Sequence, residues 1–123
     1  MLKEDDAAYA NWGGSWRMPT KWQLEKLIAN TNNAWVENYN GTGISGYKFT
    51  NKNDASKFIF LPTAGFLYEG SSNNVGSDGY YWSSSLDTDN PSYAYFLDFC
   101  SWDVIHVNNR YRSMGRPVRP VQK

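Results

Sequence analysis

The chain of 123 residues carries 12 basic and 12 acidic side chains and a formal net charge of zero, so it lacks the cationic excess that drives generic nucleic-acid binding by counterion release. Its longest apolar run is far too short for a membrane-spanning helix, and the single cysteine, Cys100, excludes an intrachain disulfide and a multi-cysteine zinc site. Six Trp, nine Tyr and six Phe supply ample material for a core, and the length fits one domain over 1–123, either complete or the C-terminal part of a longer protein.

Met1-Leu2-Lys3-Glu4-Asp5-Asp6 reads as the start of a charged helix and not as a targeting segment. A helix is expected over residues 3–12, with Ala7, Ala8 and Trp12 available for packing and Gly13-Gly14 ending it. Residues 15–19 are too short and interrupted for a regular element. Thr20 and Gln23 have capping-box spacing, in which hydroxyl and amide satisfy each other's backbone donors. Leu24, Leu27 and Ile28 follow at helical spacing, and this helix should end near Asn30.

The remainder is rich in Gly, Asn, Ser and aromatics, which suits short strands between long loops. Gly46–Thr50 and Phe58–Leu61 are expected strands, the second stopped by Pro62, and residues 69–79 are expected to be a loop. Tyr80–Leu86 and Tyr93–Trp102 read as strands around the turn-forming Asp87-Thr88-Asp89-Asn90-Pro91. Val118–Val121 reads as a terminal strand lying beside Tyr93–Phe99. Two helices followed by an antiparallel β-rich half predict an α+β domain.

Several segments resemble, in order, the Fibrobacter succinogenes major paralogous domain family. They are Asp6-Ala7-Ala8 with Asn11–Thr20, Gly46–Thr50, Ile59–Gly65, Gly79–Ser85, then Ala94, Leu97 and Phe99, and finally Arg112, Gly115, Val118, Arg119, Pro120 and Val121. The resemblance implies a C-type-lectin-like fold, with two helices packed on a small, mostly antiparallel β-sheet with long loops. It also implies an extracellular, cell-surface or phage-particle setting. Some members are variable proteins of diversity-generating retroelements, in which adenine-directed mutagenesis rewrites codons near the C-terminus. Such mutagenesis of AAC codons cannot yield Lys, Glu, Gln, Met or Trp. Gly70–Ser113 contains none of the first four, whereas the first 69 residues hold six Lys, four Glu, one Gln and two Met. Trp82 and Trp102 are then fixed by the template.

A ligand-binding surface is accordingly expected within about residues 80–112. Strand alternation puts Tyr95, Leu97 and Phe99 on one face of Tyr93–Cys100, and Phe96, Asp98 and Cys100 on the other. The resemblance implies that Leu97 and Phe99 are core, so Phe96, Asp98 and Cys100 should face outward. With Tyr93, Trp102, Asp103, His106, Asn108, Asn109 and Tyr111 they make up the expected contact set. Its partner is a protein or glycan on a cell surface, with no nucleic acid and no membrane insertion. Two other readings stay open: a structural domain of a bacterial surface or pilus-like assembly, and calcium-independent glycan binding by stacking on Trp102 or Tyr111.

No catalytic residue, cofactor or metal is expected. His106 and Cys100 lack an orienting acid at a recognisable spacing, and the oxygenase relatives of the fold use two cysteines where this chain has one. Calcium-dependent lectins carry Glu-Pro-Asn or Gln-Pro-Asp and then Trp-Asn-Asp. Asn90-Pro91-Ser92 and Trp102-Asp103-Val104 lack those oxygen sets. Trp12, Trp16, Trp82, Arg119 and Pro120 read as scaffold, Arg112 and Arg119 as ties for strand ends, and Gly115 as a residue chosen for its backbone conformation.

Overall fold

A computed structural model describes residues 3–90, 92–111 and 115–122, without the side chains of residues 103 and 104. Asp6 breaks the helix expected over 3–12 into a 3-10 turn at Lys3–Asp5 and α1 (Ala7–Trp12). Its buried carboxylate accepts from the N–H groups of Ala8 (2.9 Å) and Tyr9 (3.1 Å) as a helix N-cap, and from that of Met18 (3.0 Å). An N-cap residue takes an extended backbone, so the helix restarts after it. Ala8 is buried as expected, but Trp12 is 60% exposed and packs into no core. The segment expected to be irregular contains a short strand, β1 (Trp16–Arg17).

The capping box forms as anticipated: Gln23 N–H donates to Thr20 Oγ1 (3.1 Å) and Thr20 N–H to Gln23 Oε1 (2.8 Å), opening α2 (Lys21–Asn30). At its other end the chain runs straight into a strand that the sequence does not advertise, β2 (Thr31–Val36). Thr31 Oγ1 donates to the Leu27 carbonyl (2.5 Å), and Asn33 Nδ2 to that of Ile28 (2.8 Å). These polar side chains satisfy helix carbonyls that would otherwise lack partners, which is why a half-exposed strand begins Thr-Asn-Asn. β2 pairs antiparallel with β3 (Gly46–Asn51), and β3 with β4 (Phe58–Pro62).

Residues 69–79 are not one loop. β5 (Phe66–Tyr68) and β6 (Ser71–Asn73) form a hairpin whose two turn residues, Glu69 and Gly70, both have positive φ (49° and 79°). That geometry matches the twist of a tight hairpin, although Glu is not a usual first residue. β7 (Asp78–Leu86), β8 (Tyr93–Cys100) and β9 (Asp103–Tyr111) then build a three-stranded antiparallel sheet with β8 in the centre. The final strand, β10 (Val121–Gln122), pairs with β1 and not beside Tyr93–Phe99, so it joins the two ends of the chain. The two helices and several small antiparallel sheets make an α+β domain.

One core joins α2 to both three-stranded sheets: Leu24, Phe49, Leu61, Tyr81, Leu97, Phe99 and Ile105. Gly79 lies opposite Phe99 in the ladder, and a Cβ there would fall 2.0 Å from the Phe99 ring. Glycine is needed at that position for close approach. Gly115 serves similarly, since its Cβ would meet Leu67 Cβ at 3.0 Å where the two residues form an isolated bridge. Its role is therefore space and not an unusual backbone angle. Arg119 is exposed, and Arg112 lies outside the described residues.

Candidate binding surface

Strands β8 and β9 form a hairpin closed by Ser101 and Trp102, with Cys100 opposite Asp103. The register sorts the expected contact residues into three places. Phe96, Asp98 and Cys100 share one face with their cross-strand neighbours Asn108 and His106. Tyr93, Asn109 and Tyr111 belong to the opposite face, beyond the part covered by α2. Trp102 stands on the turn, 82% exposed, and the Asp103 side chain is outside the described set.

Two of these expectations are corrected. Cys100 is only 7% exposed and Phe96 1%, and around Phe96 the face expected to meet solvent is itself covered. The Arg116 guanidinium stands over it, 3.9 Å from the Phe96 ring centroid, 4.8 Å from Trp82, 5.2 Å from Tyr80 and 5.6 Å from Phe66. Phe66 from the β5–β6 hairpin closes the stack, edge-on to Tyr80 at 5.3 Å. The main chain on either side of Arg116 is tied down as well: Gly115 exchanges two hydrogen bonds with Leu67, and the Pro117 carbonyl accepts from Trp82 N–H (3.1 Å). Burial pushes the guanidinium pKa down to about 10.

Further along the same face the covering ends and a polar group emerges. Asp98 Oδ2 lies 3.6 Å from His106 Nε2, and the Asn108 amide is also close enough to influence the Asp98 carboxylate. Burial raises the Asp98 pKa, and the neighbouring imidazole and amide oppose that rise. Asn108 Oδ1 in turn accepts from the backbone N–H of Asn109 (2.8 Å), while Arg110 Nη1 donates to the Asn109 carbonyl (2.8 Å). These contacts cover the outward-facing backbone of Asn109, on a strand with no further partner strand among the described residues. Side chains that occupy edge hydrogen-bonding groups discourage another strand from adding there.

At the opposite end of the hairpin, Tyr93 and Tyr111 pair edge-to-face at 4.8 Å. Beside them Asn109 Nδ2 donates to Asp87 Oδ2 (2.5 Å). The other Asp87 oxygen accepts from the N–H groups of Asp89 (2.9 Å) and Asn90 (3.4 Å). Those bonds hold the Asp87 carboxyl below its usual range. Lys21 at the start of α2 lies 4.3 Å from the Tyr95 ring centroid.

Asp87 was legible in the sequence as a turn residue, and it is one. Its place beside Asn109, 22 positions along the chain, follows only from the pairing of β8 with β9. Neither Arg110 nor Arg116 carries a local sequence signal for its role. Among the described residues no three His, Cys, Asp or Glu side chains converge as a metal site, and no helix is long and apolar enough to cross a membrane.

Among known proteins, a family model described as a domain of unknown function (DUF8237) matches residues 31–121. No curated protein and no solved structure matches the chain.

Proposed function

The chain belongs to the DUF8237 family of domains of unknown function, and on that footing we propose that it is a non-catalytic ligand-binding module of C-type-lectin-like fold, with the β8–β9 hairpin as its recognition surface. The fold reading is supported by two helices preceding small antiparallel sheets and by the paired chain ends. The ordered segments resembling the Fibrobacter succinogenes major paralogous domain family point the same way. On this reading the module is displayed on a cell surface or phage particle, and the segment free of Lys, Glu, Gln and Met fits diversification by a retroelement.

The observation that carries the proposal is the division of labour within two adjacent strands. Phe96, Leu97 and Phe99 are at most 1% exposed, whereas Trp102 is 82% and Tyr111 52% exposed, with His106 also at the surface. Exposed aromatic side chains supply contact area at low entropic cost, and Asn and Asp beside them supply adaptable hydrogen bonds. Because they sit outside the core, contact positions on such a hairpin can vary while the sheet persists. The reading as a structural assembly domain is less well supported, since Asn108 and Arg110 occupy edge groups that strand addition would need.

The test is saturable binding of the labelled chain to a panel of intact bacterial cells. It is compared with a variant carrying Trp102→Ser, His106→Ala, Asn109→Ala and Tyr111→Ala. Binding that the variant loses while remaining folded is the expected result. Equal binding by both proteins, or none by either, defeats the proposal.

A further inference from the structure

We propose that the Tyr93–Tyr111 end of the hairpin is a calcium-independent site for a neutral sugar ring. Tyr111 is its stacking platform, and Asp87 and Asn109 are its hydroxyl partners. The inference rests on the binding-module reading and names the ligand class for one part of that surface.

A pyranose has an apolar C–H face and a rim of hydroxyl pairs, so its recognition needs an accessible aromatic face beside paired donors and acceptors. Tyr111 is 52% exposed. Its contact with Tyr93 is edge-to-face, with an interplanar angle of 76°, an arrangement that occupies at most one face of one ring. The electron-rich face of a phenol ring suits C–H groups, and the edge-to-face contact with the Tyr93 ring holds the Tyr111 ring in place before a ligand arrives.

The polar half of the site is also fixed in advance. Asp87 and Asn109 orient each other through the Nδ2–Oδ2 bond, and the turn N–H groups of Asp89 and Asn90 hold the other carboxylate oxygen. A carboxylate oxygen accepts more than one hydrogen bond, and a primary amide has two N–H donors and an acceptor oxygen. Among the described residues Asn109 Oδ1 and the second Nδ2–H have no partner. The pair therefore presents an acceptor and a donor side by side, the complement of two adjacent hydroxyls, one donating to Asp87 and the other accepting from Asn109. The charge selects as well: Asp87 stays ionised, which favours neutral sugars over those bearing a carboxylate. The nearby Arg110 guanidinium is engaged with Asn108 Oδ1 and the Asn109 carbonyl.

The test is a chemical-shift titration of the isotope-labelled chain with EDTA present. The probes are glucose, galactose, mannose, N-acetylglucosamine, cellobiose, lactose and chitobiose, with glucuronic acid as the anionic counterpart. At least one neutral sugar is expected to give saturable shifts confined to residues 87–90, 93 and 109–111, and glucuronic acid none. Tyr111→Ala should weaken that binding by at least about tenfold. Tyr111→Phe, which keeps the ring, should stay within about threefold of wild type. Tyr68→Ala, removing an exposed aromatic elsewhere, should leave binding unchanged, and each variant's own spectrum reports whether it is folded. No response to any neutral sugar, or shifts centred on Trp102 and His106 instead, overturns the sugar site. If the four-position hairpin variant has nevertheless lost cell binding, the module reading survives on a protein ligand and only this inference falls.

Discussion

The Arg116 guanidinium lies 3.9 Å from the centroid of the Phe96 ring, and Trp82, Tyr80 and Phe66 complete the stack around it. This cation clamps the β5–β6 hairpin and the C-terminal segment onto the outer face of the main sheet. A desolvated cation–π contact contributes about 2 kcal/mol or more, offset by the cost of burying the charge. Arg116→Ala removes both the charge and the planar packing, and should lower stability by about 2–4 kcal/mol in urea unfolding. Arg116→Lys should recover less than half of that loss, because an ammonium cannot stack as a planar fork does. Full recovery by lysine would show that charge, and not stacking, holds the clamp.

Burial on both faces of β8 separates scaffold from contact positions. Phe96→Ala should cost about 3–5 kcal/mol, as truncation of a buried aromatic does, although strand alternation alone would make it a surface residue. His106→Ala and Trp102→Ala should each change stability by less than about 0.5 kcal/mol. Thermal unfolding of the three variants side by side checks the ordering. A tolerated Phe96→Ala with a destabilising Trp102→Ala would reverse the assignment of the faces.

Tyr81 donates its hydroxyl to the Pro62 carbonyl (2.8 Å) within the core, and burial pushes its pKa up to about 12. An unfolded tyrosine titrates near 10. Above that pH the unfolded chain binds fewer protons than the folded one, so this residue's contribution is full below pH 10 and is lost as pH rises toward 12. Arg116, whose pKa is lowered to about 10, acts in the opposite sense over the same range. Comparison with Tyr81→Phe isolates the tyrosine. Between pH 9 and pH 12 the wild type should lose about 1–2 kcal/mol relative to that variant. A constant difference across the range would mean that the hydroxyl is not held in its neutral form.

What was legible in the sequence was mostly local. The Thr20–Gln23 capping box and the Leu24, Leu27 and Ile28 spacing determine α2, because every partner lies within a few residues. Alternation and turn residues locate β3, β4, β7 and β8, and the family resemblance assigns Leu97 and Phe99 to the core, where both are buried. Non-local partners decided the rest. Strand β2 begins with polar residues that cap the preceding helix, so its composition does not look like a strand. Phe96 is buried because Arg116 and the β5–β6 hairpin cover a face that alternation assigns to solvent, and Cys100 on the same strand is buried as well. Tyr93, Asn109 and Tyr111 could each be named from the sequence as contact residues. Their convergence with Asp87 could not, because it depends on the pairing of β8 with β9, and a one-residue shift in register would send those side chains to opposite faces.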